Sequence, residues 1–234
     1  MTETPNSNSG LSFKTAALVT GIGLLLMTVS APPAFFHFLP QGAVEGDPAA
    51  TVAALRGSGG TPYLIGAFLL FSTYCLDIVV AWGLYWLIRP GKAATAQLVA
   101  WTRLVYTALA FVGLMHTFQV YDLANSTDLV AAIGDAALDN EVTARMAAAS
   151  SISSFALFFF GVHLLVLSGA ILKAKSIPTW LAVLIALAGF SYIALHLLRY
   201  VAPNASTGWL LILAMGELVF MGWLLFTGLR TRTN

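Results

Sequence analysis

SISSFALFFFGVHLLVLSGAILKAKSIP, residues 151–178, decides the fold. Nothing from Ser151 to Leu172 is charged. At ~1.5 Å of rise per residue that run is long enough to cross ~30 Å of hydrocarbon as a helix. Lys173 and Lys175 stop it, and Ser176-Ile177-Pro178 restarts the chain. Proline there suits the first turn of a new helix, where its missing N–H is no loss. The stretch therefore reads as a transmembrane hairpin with a short basic elbow.

The same reading extends outward in both directions. The chain is 59% hydrophobic and 9% charged, with mean hydropathy +0.84, whereas a soluble domain carries about a quarter charged residues. Six spans follow, at about 15–31, 63–88, 97–121, 147–172, 178–198 and 207–229, within one transmembrane domain over 15–230. A polar tail, 1–14, precedes it and a short tail, 231–234, follows. The expected fold class is all-α, a polytopic six-helix bundle with short loops and one longer acidic outer loop. Val29-Ser30-Ala31 has the look of a secretory cleavage site, but Pro32 would follow the scissile bond. We read an uncleaved first helix that Pro32-Pro33 ends or kinks, with Phe35, Phe36, His37 and Phe38 at the interface. Asp47-Pro48 and Gly57 bound a short helix in the first outer loop, as N-cap, first position and stop. In 122–146, Leu129, Val130, Ile133 and Leu138 suggest an amphipathic helix lying on the membrane.

Basic residues orient the spans. Lys14, Arg89, Lys92, Lys173, Lys175, Arg230 and Arg232 fall on one side; Arg56, Arg145 and Arg199 fall on the other with most of the acids. The positive-inside rule then places both termini in the cytoplasm. The expected location is a bacterial inner membrane. A net charge of +1 with no basic cluster excludes nucleic acid as an expected partner. The lone Cys75 excludes an intrachain disulfide. There is no phosphate-binding glycine loop, zinc-protease helix or serine nucleophile elbow. Ser151, Ser153 and Ser154 read as hydroxyls bonded to their own helix or a neighbour.

Ionisable residues inside spans carry the functional information, because a charge at the bilayer centre costs about 2.5–3.5 kcal/mol or more and needs a partner. Four qualify: Asp77, Arg103, His163 and Glu217. Counted from the cytoplasmic ends of their spans they lie at roughly 17, 9, 15 and 20 Å. Asp77 and Arg103 are expected to form an ion pair, and Glu217 and His163 a hydrogen bond if the fourth and sixth spans touch. A histidine beside a carboxylate can hold or relay a proton; the cluster can equally be a structural lock. A second set, His37, His116 and His196, lies towards the outer face and could ligate a transition metal or a haem b. No two of these are four apart on one helix, so the metal signal is weak in spacing. Interfacial belts explain most of the aromatic residues Trp82, Tyr85, Trp86, Trp101, Tyr106, Trp180 and Trp209, and Trp223 reads as packing. Small residues such as Gly161, Gly169 and Gly216 suit close helix approach or a homo-oligomer contact.

The elements Asp77, Arg89-Pro90, Arg103, Gly161-Val162-His163, Ile177-Pro178, Ala188-Gly189 and Gly216-Glu217-Leu218, in this order over about 63–229, resemble a bacterial integral membrane family, domain of unknown function 4386. The resemblance implies a compact six-helix membrane protein and supplies no reaction, ligand or cofactor. It places Asp77, Arg103, His163 and Glu217 on the family pattern and leaves His37, His116 and His196 off it. Two functions follow as expectations. The first is a non-enzymatic protein that binds or passes a small solute or proton, or serves as an accessory subunit of a larger membrane complex, with no cofactor. The second is an intramembrane haem- or metal-dependent redox protein.

Overall fold

The computed structural model describes residues 10–90, 92–174 and 176–230; Lys175, Arg232 and the tail residues 1–9 and 231–234 lie outside the described residues. The chain is helical, with no strand among the described residues. Six stretches are long and apolar enough to cross a membrane. They are built from α1 (Phe13–Pro33), α3 (Gly60–Ile88), α4 (Ala93–Ala124), α6 (Asp135–Ile171), α7 (Thr179–Val201), and α8 (Leu210–Ala214) with α9 (Gly216–Arg230). Two short helices, α2 (Pro48–Arg56) and α5 (Thr127–Ile133), complete the set.

The spans form a closed ring. Each packs on the next, α1 on α3, α3 on α4, α4 on α6 and α6 on α7, and α9 closes the circle against α7 and α1. Lipid offers no hydrophobic drive between helices, so close approach of small residues has to hold them. At the α6–α7 crossing Gly161 and Gly189 meet back to back. A Cβ on Gly161 would sit 2.6 Å from the Gly189 carbonyl oxygen, so only glycine permits this spacing. Ser168 adds a hydrogen bond across the same pair, donating to Ala182 O at 2.8 Å.

Three expectations are sharpened here. Pro32-Pro33, expected to end or kink the first helix, closes its α-helical part, and the chain continues in a π turn (Ala34–Phe38) and a 3₁₀ turn (Leu39–Gly42). Two missing N–H groups interrupt the hydrogen-bond ladder, and the chain resumes it at Ala34, whose N–H reaches Ser30 O and Ala31 O. The acidic segment is not one separate amphipathic helix: Leu129, Val130 and Ile133 lie on α5, and Leu138 lies on α6. Residues from Asp135 onward belong to α6, whose 37 residues extend for about 55 Å against ~30 Å of hydrocarbon. The sixth span is one stretch, Leu210–Arg230, whose two helices α8 and α9 are joined at Met215 by a turn with i→i−3 hydrogen bonds.

The start of α6 and the end of α4 combine with α2 into a cap at one end of the bundle. Val52 and Leu55 of α2, Tyr63 of α3, Val120 and Ala124 of α4, and Leu138 and Val142 of α6 form its core. The expected Asp47-Pro48 helix is present. Asp47 accepts from Ala50 N–H at 2.9 Å, and Gly57 ends the helix. Arg56 ties it to α4 through Nε to Ala124 O at 2.6 Å.

Candidate functional site

Every span sends at least one side chain to a polar centre inside the ring. Asp77 projects from α3 and Arg103 from α4, both essentially inaccessible to solvent. Arg103 Nη2 lies 2.5 Å from Asp77 Oδ1, the ion pair expected from sequence. The contact is a charge-assisted one between fully buried partners. The Tyr106 hydroxyl, one turn along from Arg103, faces the same carboxylate. α1 contributes Met27, whose sulfur is 3.8 Å from Arg103 Nη2. α6 contributes Phe160, whose ring centre is 5.4 Å from the guanidinium carbon, a cation–π contact.

His163 enters from α6 and is fully buried. Its Nδ1 lies 3.1 Å from Val99 O and 3.2 Å from Thr102 Oγ1. A carbonyl can only accept, so we assign the proton to Nδ1. Nε2 then turns its lone pair to Arg103 Nη1, 3.4 Å away. His163 is thus a neutral imidazole whose acceptor nitrogen is already engaged by a cation. The expected Glu217–His163 hydrogen bond does not form. α7 stands between α6 and α9 in the ring, and Glu217, in the first turn of α9, faces the hydroxyl of Tyr192 on α7. Close approach at Gly216 makes this geometry available, since a Cβ there would sit 2.5 Å from Leu184 O. Among the described residues the ion pairs are Asp77–Arg103 and Glu141–Arg145, so Glu217 has no cation at contact distance.

The histidines proposed as metal ligands stay apart. His37 sits in the exposed π turn beside Gln41, 3.5 Å from its Nε2. His116 is on α4, and His196, on α7, bonds Ser154 Oγ at 3.1 Å among the rings of Phe155, Phe158 and Tyr200. No group of three His, Cys, Asp or Glu side chains suited to a metal ion occurs among the described residues. The outer serines have the expected neighbours: Ser151 accepts from Arg199 at 3.3 Å and Ser154 pairs with His196.

Sequence reasoning missed Tyr106 and Tyr192. Tyr106 is no belt residue: it is buried against Phe160 with ring centres 4.7 Å apart, while Trp101 is 61% exposed. The signal was the three-residue spacing from Arg103, which sets both on one helix face. Tyr192 carries no such signal, because its partner is on another helix.

The family model described as domain of unknown function (DUF4386) matches residues 19–228. The chain belongs to this family. The match takes in most of the first span as well as the 63–229 stretch on which the resemblance rested. A relative, an uncharacterized protein of Archaeoglobus fulgidus, is 29% identical over 165 residues, covering 70% of this chain and 83% of the relative. No solved structure matches. Fold and family therefore agree on a multi-pass membrane protein of the DUF4386 family.

Proposed function

We propose that this DUF4386 protein is a proton-binding integral membrane protein without a cofactor, in which Glu217 takes up and releases the proton. The observation that carries the reading is the charge count of the centre: two carboxylates face one guanidinium. Asp77 holds the guanidinium at contact distance, while Glu217 shares the charge of Arg103 only beyond ion-pair distance and has the Tyr192 hydroxyl as its direct partner. A bare carboxylate inside a bundle is costly, and a proton is the smallest cation that removes the cost. His163, with its acceptor nitrogen on Arg103, positions the guanidinium and does not relay protons. The tightened turn at Met215 lies two residues before Glu217, at the start of α9. The preferred orientation has both termini cytoplasmic in a bacterial inner membrane, supported by the distribution of lysine and arginine.

The test is infrared difference spectroscopy of the protein in liposomes between acidic and alkaline buffer, with pH-sensitive dye inside the vesicles. We expect a protonated-carboxyl band that titrates in the parent and is missing in Glu217→Gln, whose bundle remains folded. An identical titrating band in Glu217→Gln overturns the reading. Dye acidification that depends on Glu217 assigns proton transfer across the bilayer; a titrating band without flux assigns binding alone.

A further inference from the structure

The ring does not close along its whole height. Towards the α3–α4 and α6–α7 elbows, α1 and α9 lie in contact: Gly228 abuts Leu18 and Gly21 abuts Leu225. Thr28 Oγ1 and the Met221 sulfur, 3.8 Å apart, continue the seam. One turn further, towards the α2 end, the two helices part. The π and 3₁₀ turns that continue α1 pack on α3, and α8 packs on α7. Pro32 lies four residues beyond Thr28, on the same face of α1, yet it is exposed, and Met215 is half-exposed. The cap does not cover this opening, because α2 packs on α3, α4 and α6.

Glu217 stands at the edge of the opening. It lies one turn before Met221 on the same face of α9, and it is part-buried where Asp77, Arg103 and His163 are sealed. Tyr192, its partner on α7, is part-buried as well. Arg103 from α4 and Asp77 from α3 act on Glu217 from beyond contact distance, and α1 and α8 carry no titratable group at this level. On the elbow side of Glu217 the ring is filled by fully buried Leu84, Leu167, Leu181 and Leu224. The opening also has a reason to be wet. Pro32 has no N–H, so the Thr28 carbonyl four residues before it lacks its helical donor. A carbonyl at membrane depth needs another partner, and water supplies one.

We propose that Glu217 exchanges its proton with water through the opening between α1 and α8, on the α2 side of the bundle, and is closed to the elbow side. The inference rests on the reading of Glu217 as the proton-binding group and adds the route by which the proton reaches it.

The test uses the full chain in liposomes, in a Cys75→Ser background, treated from outside with a membrane-impermeant trimethylammonium methanethiosulfonate. Glu217→Cys is combined with a reporter, either Asn204→Cys in the α7–α8 loop or Lys92→Cys in the α3–α4 elbow, both at exposed positions. Intact-protein mass spectrometry then reads which cysteines are labelled in the same molecule, whatever its orientation in the vesicle. Glu217→Cys should be labelled together with Asn204→Cys and never together with Lys92→Cys. Pro32→Cys, on the facing edge, should behave alike and serves where Glu217→Cys fails to fold. Val105→Cys, exposed on the lipid side of α4, should stay unlabelled. Labelling of both edges together with Lys92→Cys, no labelling of either edge, or equal labelling of Val105→Cys would each overturn the route. The infrared titration of Glu217 is a separate readout. A titrating band without labelling keeps the proton reading and removes the route; labelling without the band leaves a wet opening that serves no proton and overturns both.

Discussion

The centre of the ring and the cap outside it are built on opposite chemistry. In the ring, an ionic centre of Asp77, Arg103, His163 and the tyrosines around them is set inside a large apolar core that includes Val80, Leu84, Leu164 and Leu181. In the cap at the α2 end, the cluster of Val52, Leu55, Tyr63, Leu138 and Val142 encloses no charged group. Water drives apolar groups of the cap together, whereas lipid rewards the burial of polar groups against one another and the close packing of backbones. Acting on one chain, the two media selected two cores.

That contrast can be broken by mutation, and the largest effect should come from the ion pair. Asp77→Asn leaves Arg103 buried without a counter-charge and should cost about 3–5 kcal/mol. Thermal unfolding in detergent should show the loss, and Asp77→Asn/Arg103→Met should recover most of it, since an apolar pair carries no desolvation penalty. If the double variant is as unstable as the single one, the pair is not the unit that holds the centre.

Next comes the cap. Leu138 is fully buried, and Leu138→Ala should cost about 2–5 kcal/mol locally. Hydrogen exchange should rise in α2 and in the overhang of α6 while the spans stay protected. Moderate urea should have the same selective effect, because urea weakens apolar burial. Exchange that spreads into the spans around Arg103 would show that the two cores are one cooperative unit.

A smaller effect belongs to the packing that closes the ring. Gly161→Ala forces α6 and α7 apart at their Gly161–Gly189 contact and should cost about 1–3 kcal/mol, seen as a lowered melting temperature with the cap intact. The smallest is at the cap's edge. Asp47→Ala removes the N-cap of α2 and should cost about 1 kcal/mol, with faster amide exchange confined to the first turn of α2.

How far the sequence could be read follows from the same physics. The spans were legible because a run such as 151–172 has few alternatives to crossing a bilayer as a helix. The Asp77–Arg103 pair was legible because a buried charge needs a partner and adjacent spans put the two at reachable depths. The overhang of α6 was not. Asp135–Met146 has a helical pattern, but whether a helix lies on a membrane or projects from it depends on what covers Leu138 and Val142. That cover is α2, some 85 residues earlier. The partner of Glu217 was misread for a related reason: equal depth does not make two helices neighbours.

By itself, then, the sequence determined the number of spans, the places where most of them begin and end, and which ionisable groups must be buried, because each follows from transfer free energies along a single segment. The tertiary structure alone decided the ring order, and with it that His163 turns to Arg103, that Glu217 turns to Tyr192 and that His37, His116 and His196 remain apart. Those outcomes depend on which helix faces can approach closely, as at Gly161–Gly189 and Gly216–Leu184, and that is a property of pairs of helices rather than of any one of them.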